Sequence, residues 1–221
     1  FWHGWFNTKN KDDILNYCSA IEKSDTRSRF ILFDVGCAYT YLGKSDKSVD
    51  MMEKVEKVNA DFGEDWRYRD FYSYYSDACH NAGRYDKENA VLKTGLKLFP
   101  DDIDLIWKQA RLALSTGRFK RSDELIKRFE YLCKRLNLSE SDVQASLGNL
   151  FVQVDSLDKA EKCFRQALDL QPENVTRLND LAYFLINKDR NIDEGLKLID
   201  IALEFSPENY DLLRTKGWGL Y

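Results

Sequence analysis
The chain has 221 residues, a formal net charge of −4 at pH 7 and a sequence pI near 5.4, a balance that argues against a nucleic-acid footprint, which needs a basic face. Two histidines, His3 and His80, exclude a multi-histidine metal site, and no apolar run reaches the roughly 18 residues of a membrane span. Five cysteines, an odd count without a C-x-x-C pair, read as buried free thiols that suit a reducing, cytoplasmic setting.

Phe1 to Phe6 (FWHGWF) is aromatic and follows no helical register. It is expected to cover the first helix or to join a neighbouring part of a longer protein. Asp12 to Lys23 then reads as a helix, with Ile14, Leu15, Cys18 and Ile21 on one side. Residues 1–28 are therefore assigned as an N-terminal aromatic segment with a capping helix. Residues 29–221 form one domain of repeated helix pairs.

The first pair runs from about Arg29 to Ala60, with Val35-Gly36 and Tyr39 on the inner face and Gly43 at the turn. Ser48 and Met52 follow on the second helix. Gly43 and Gly83 lie 40 residues apart, so extra chain falls near Val58 to Trp66, as a longer helix or a wider joint. The second pair, about Arg69 to Asp102, carries Ser76, Cys79, Gly83, Tyr85 and Pro100. Its Glu88 stands where a small residue is expected, which predicts a shifted helix or a side-chain stem that snorkels outward. Gly117 follows Gly83 by 34 residues and turns the third pair, whose second helix is expected to continue to about Leu136.

The fourth pair, Ser141 to Asn174, is the most regular. Leu147-Gly148 and Phe151 precede the turn at Asp155-Ser156; Ala160, Phe164, Ala167 and Pro172 follow it. Gly148 and Ala160 are small because two helices cross there, and Pro172 ends the second helix. The fifth pair has Leu181-Ala182, Gly195, Ile199, Ala202 and Pro207, with one added residue between Asn187 and Asn191. Tyr210 to Tyr221 is the first helix of a sixth.

The order L-G-x2-aromatic, A-x3-F, P over 34 residues resembles the tetratricopeptide repeat. The shared register extends that resemblance over about Arg29 to Tyr221. It implies an all-α fold, a right-handed α-α superhelix (solenoid) of helix-turn-helix repeats. About five are whole, and the first helix of a sixth follows.

Competing motifs weaken on inspection. Ala38 to Ser45 fits a relaxed phosphate loop, but its Tyr-Thr-Tyr-Leu centre cannot wrap phosphates, and Gly43 is better read as a turn glycine. Trp66 to Tyr75 interleaves aromatics with arginines, yet Phe71, Tyr72 and Tyr75 have the spacing of a packed helix face. Asn137-Leu138-Ser139 and Asn174-Val175-Thr176 read as chance glycosylation matches. No nucleophile-and-base set stands out, so no catalytic residue, metal or cofactor is assigned, and an enzyme is not expected.

In the resembled family the first helix of each repeat lines a concave groove. The exposed places expected here are Cys37, Asp77, Arg111, Asn149, Tyr183 and Trp218, then Phe33, Ser73, Trp107, Ala145, Asn179 and Arg214. Family members that clamp the acidic tail of heat-shock chaperones place Lys and Asn at such positions of the early repeats. Phe33, Cys37 and Asp77 do not match that clamp. The candidate site is Trp107, Arg111, Asn149, Gln153, Asn179 and Tyr183, with Asp77 and His80 beside it. Arg111 is the expected charge anchor, Asn149 and Asn179 the backbone-binding amides, and Trp107 and Tyr183 the packing surfaces. Two functions follow: a scaffold holding a peptide or partner helix in the groove, or a regulatory segment docking in cis on a neighbouring catalytic, sensor or regulatory domain.

Overall fold
The computed structural model describes residues 10–62 and 68–221. The aromatic segment Phe1 to Phe6 and the joint around Trp66 lie outside them. Among the described residues there are twelve α-helices and no strand: α1 Lys11–Glu22, α2 Arg29–Tyr41, α3 Ser45–Phe62, α4 Arg69–Asn81, α5 Tyr85–Leu98, α6 Ile103–Ser115, α7 Phe119–Arg135, α8 Glu140–Gln153, α9 Leu157–Leu170, α10 Val175–Asn187, α11 Ile192–Phe205 and α12 Tyr210–Leu220. They fall into two compact units, Phe1–Leu125 and Ile126–Tyr221.

The helices start where short polar side chains satisfy otherwise unpaired backbone N–H groups. Ser28 caps α2, Asp102 caps α6, Ser139 caps α8 and Asn174 caps α10, each accepting from a backbone N–H two or three residues on. Within each pair the chain turns through one left-handed residue. Gly43, Gly83 and Gly117 hold φ values of +69°, +68° and +70°, and Asp155 and Asp189 hold the same place at φ 55° and 50°. Aspartate reaches this region more readily than most side chains.

In the first unit one core runs through α1 to α6. It is built on Ile14, Val35, Tyr39, Met52, Val55, Tyr75 and Leu92, all essentially inaccessible. The close crossings use the small residues the sequence placed there. A Cβ on Gly36 would stand 2.7 Å from Met52 Cε, and Ser48 donates to the Gly36 carbonyl at 2.7 Å. A buried serine thus fits an alanine position by bonding to the facing backbone. The chain excess before the second pair is partly helical, since α3 has 18 residues against 14 in α5.

In the second unit, Phe164 fills the space left by Gly148, where an added Cβ would meet its ring at 2.7 Å. Ala160, Phe164, Leu181, Phe184 and Leu185 form one cluster, and Leu178, Ala182, Ile199, Ala202 and Leu212 the next. Ser141 donates to the Ala167 carbonyl at 2.8 Å. Together these contacts fix α8, α10 and α12 relative to α9 and α11, and so position the face described next.

The expectation for Glu88 is corrected. Its side chain is fully buried and does not snorkel: Ser76 Oγ donates to it at 3.2 Å, His80 Nδ1 lies 2.8 Å away, and Arg111 Nη2 donates at 3.1 Å. The carboxylate stays inside because three polar partners replace water.

Candidate functional site: a polar groove on the second unit
The candidate residues divide between the two units. Asn149, Asn179 and Tyr183 come together in the second unit, in a shallow pocket of about 160 Å³. Val152, Phe164 and Phe184 supply apolar wall, and Asp180, Asn187, Lys188, Arg214 and Thr215 complete the lining. The three first helices α8, α10 and α12 contribute all of these but Phe164 and Lys188. Asn149 is exposed, and Tyr183 is 48% exposed. Gln153, one turn beyond Asn149, is exposed but outside the pocket lining.

The floor is held by hydrogen bonds. The Thr215 hydroxyl is shared between Asn179 Oδ1 at 3.0 Å and the Asp211 carbonyl at 2.9 Å. That contact engages the amide oxygen of Asn179 as an acceptor. Asp180 is held by Arg177, which also pairs with Asp142. Burial pushes the Asp180 carboxyl above its ordinary value, with Arg177 pulling the other way. Asp142 moves down, held by the Ser139 hydroxyl and by Arg177. The sequence reading missed Thr215, Asp180 and Arg177. Their signal was the register alone, since each stands one to two positions from a residue that it did select.

In the first unit the structure corrects the exposure expected of Arg111. It is 3% exposed, and its guanidinium donates to Asp77 at 2.9 Å and to Glu88 at 3.1 Å. Lys108 closes on the same Asp77 at 2.7 Å, and the Arg111 guanidinium stands 5.8 Å from the Trp107 ring. Asp77, His80, Trp107 and Arg111 therefore belong to an internal charge network bridging α4, α5 and α6. Phe33, Ser73 and Ala145 are likewise buried, whereas Arg214 and Trp218 are exposed as expected.

Among the described residues no group of His, Cys, Asp and Glu side chains is placed to hold a metal ion. Neither is any described helix long and apolar enough to cross a membrane. The pocket offers amides, a phenol and an apolar wall, with Asp180, Lys188 and Arg214 among them. That combination recognises hydrogen-bonding groups with adjacent apolar surface.

Helix pairs turned through left-handed residues define a repeat scaffold. Residues 31–62 and 141–174 match the family model for the tetratricopeptide repeat. The chain carries tetratricopeptide repeats and has that family's fold. It is 28% identical over 120 residues to the BBSome complex member BBS4 of Bos taurus, covering 54% of this chain and 22% of that protein. It is 32% identical over 84 residues to the peroxisomal targeting signal receptor of Candida glabrata, covering 38% of this chain and 14% of the receptor. The chain thus spans less than a quarter of the length of these curated relatives. Among solved structures, a thermophilic tetratricopeptide protein of Thermus thermophilus superposes with a TM-score of 0.55 at 19% identity, covering 88% of this chain and all of that one. The C-terminal part of a tetratricopeptide protein of Cytophaga hutchinsonii gives 0.54 at 16% identity, covering 92% and 77%. Proteins of this family mediate protein–protein interaction.

Proposed function
We propose that the chain works by binding rather than turnover, and that its second unit holds an extended segment of a protein partner in the groove. The observation that carries this is the convergence of Asn149, Asn179 and Tyr183 on one pocket. The two amides serve the partner's backbone, and Tyr183 packs against a side chain. A relative named as a receptor for a targeting signal and another named as a member of a complex are consistent with such a role. Five free cysteines, four of them buried, support work in a reducing compartment such as the cytoplasm.

The second reading, docking in cis within a larger protein, is favoured by the small share of its relatives' length that this chain spans. Capture from native lysate separates the two. Wild type and an Asn149→Ala/Tyr183→Ala variant with unchanged circular dichroism are compared. Loss of a captured protein in the variant supports the groove; equal capture by both moves binding elsewhere. Arg111 is unsuitable for this comparison, because altering it disturbs the buried network.

A further inference from the structure
The second unit holds a second concavity, of about 570 Å³ against about 160 Å³ for the groove, and the two share no lining residue. That volume falls within the range of about 300–1,000 Å³ that ligand pockets occupy. The cavity forms where the end of α7 turns into the start of α8. Backbone and capping bonds fix its frame. Asn137 holds the left-handed region at φ 56°, and the Asn137 and Leu138 N–H groups donate to the Lys134 and Cys133 carbonyls at 3.1 and 3.0 Å. Ser139 then caps α8 and donates to the Asp142 carboxylate at 2.6 Å.

The polar side chains that line the cavity are Glu130, Lys134, Asn137, Glu140 and Gln144. Among the described residues none of the five makes a side-chain hydrogen bond or an ion pair. Glu130 and Lys134 stand one turn apart on α7, the spacing of a helical ion pair, yet they do not close on one another. Elsewhere on the same unit opposite charges do close: Arg165 pairs with Glu161 and Glu194, and Arg190 with Asp158 and Glu161. Two carboxylates against one ammonium leave the cavity with an excess of negative charge. Leu138, 42% exposed, and the buried Val143 add an apolar wall. Uncommitted carboxylates beside an apolar wall are complementary to a cation on an aliphatic stem, and amides suit the donors and acceptors of a peptide backbone.

We propose that this cavity is a second binding site, which seats a basic side chain, of arginine or lysine, from an extended segment of a protein partner. The stem lies along Leu138 and Val143, and Glu130 and Glu140 hold the charged head. Lys134, Asn137 and Gln144 meet the carbonyl and N–H groups of the segment's backbone. An acidic segment is disfavoured by the same charge count. The site does not depend on the groove formed by Asn149, Asn179 and Tyr183.

The test is an amide-resolved NMR titration of the full chain with the peptide acetyl-Ala-Arg-Ala-amide. Saturable shifts are expected at residues 130–144, and they should persist in the Asn149→Ala/Tyr183→Ala variant. Glu130→Gln/Glu140→Gln should weaken binding about tenfold, the scale of one hydrogen bond to a charged group. The neutral citrulline peptide and acetyl-Ala-Glu-Ala-amide should each bind about tenfold more weakly than the arginine peptide. Equal binding by the Glu130→Gln/Glu140→Gln chain, equal binding of either control peptide, or no shift at residues 130–144 overturns the proposal. Loss of the shifts in Asn149→Ala/Tyr183→Ala also overturns it, by assigning the peptide to the groove. Glutamine matches glutamate in shape, and neither glutamate is engaged within the described residues, so the double variant keeps the fold on which the comparison depends.

Discussion
Glu88 is tolerated inside the first unit because Ser76, His80 and Arg111 all meet its carboxylate. The same contacts make Arg111 costly to lose. Truncating one partner of a buried ion pair leaves the other charge without compensation, at about 3–5 kcal/mol. Arg111→Met is expected to destabilise by that amount in urea unfolding. Glu88→Ala/Arg111→Met is expected to cost less than the two single variants together, because it removes both charges. Asp34 gives the opposite sign. Its folded-state pKa, about 6, lies above the ordinary 3.8, so the folded state takes up a proton first as pH falls. Stability gained from this group therefore rises as pH drops from about 6 toward 4 and is absent at pH 7. Asp34→Asn should be at least as stable as wild type at pH 7, and the stability difference should narrow from pH 7 to pH 4. Thermal melts across that range check it.

At the level of the helix and its turn, the sequence was a dependable guide where one residue has one physical job. Gly43, Gly83 and Gly117 were readable as turns because φ near +70° suits glycine, and Gly148 as a crossing because Phe164 needs the space. The spacing excess after Gly43 left open a longer helix or a wider joint, and the 18-residue α3 takes up part of it. The faces of α2, α4 and α6 were harder. Helical register says which side a residue occupies, but not whether a long side chain across the interface will cover it. Arg111 looked like a groove anchor for that reason, until Asp77 and Glu88 were found closing on it. Asn149, Asn179 and Tyr183 do line one pocket together, and Thr215, which the register alone does not single out, engages Asn179 there. Two changes test this level. Gly83→Ala should cost about 1–2 kcal/mol, the penalty of a Cβ in the left-handed region. Asn174→Ala should cost about 1 kcal/mol by removing the bonds its Oδ1 accepts from Thr176 and Arg177. Both are read from chemical denaturation midpoints at constant slope.

At the scale of the whole molecule, two compact units carry different chemistry on the same repeated scaffold. The first holds Asp77, Glu88, Lys108 and Arg111 in an internal ion network. The second keeps neutral amides and a tyrosine accessible in a groove. A family register can thus be shared along a chain while the residues on it are used for stability in one unit and recognition in the other. The claim that organises this account is that the second unit's groove binds a partner through Asn149 and Asn179. The most direct measurement is the dissociation constant of a peptide selected from a library on the intact chain, determined calorimetrically for wild type and for Asn149→Ala/Asn179→Ala. Each amide contributes roughly 1 kcal/mol through its hydrogen bonds, so the double variant should bind about thirtyfold more weakly with its melting curve unchanged. An unchanged dissociation constant in a folded double variant would contradict the account and place recognition on another face.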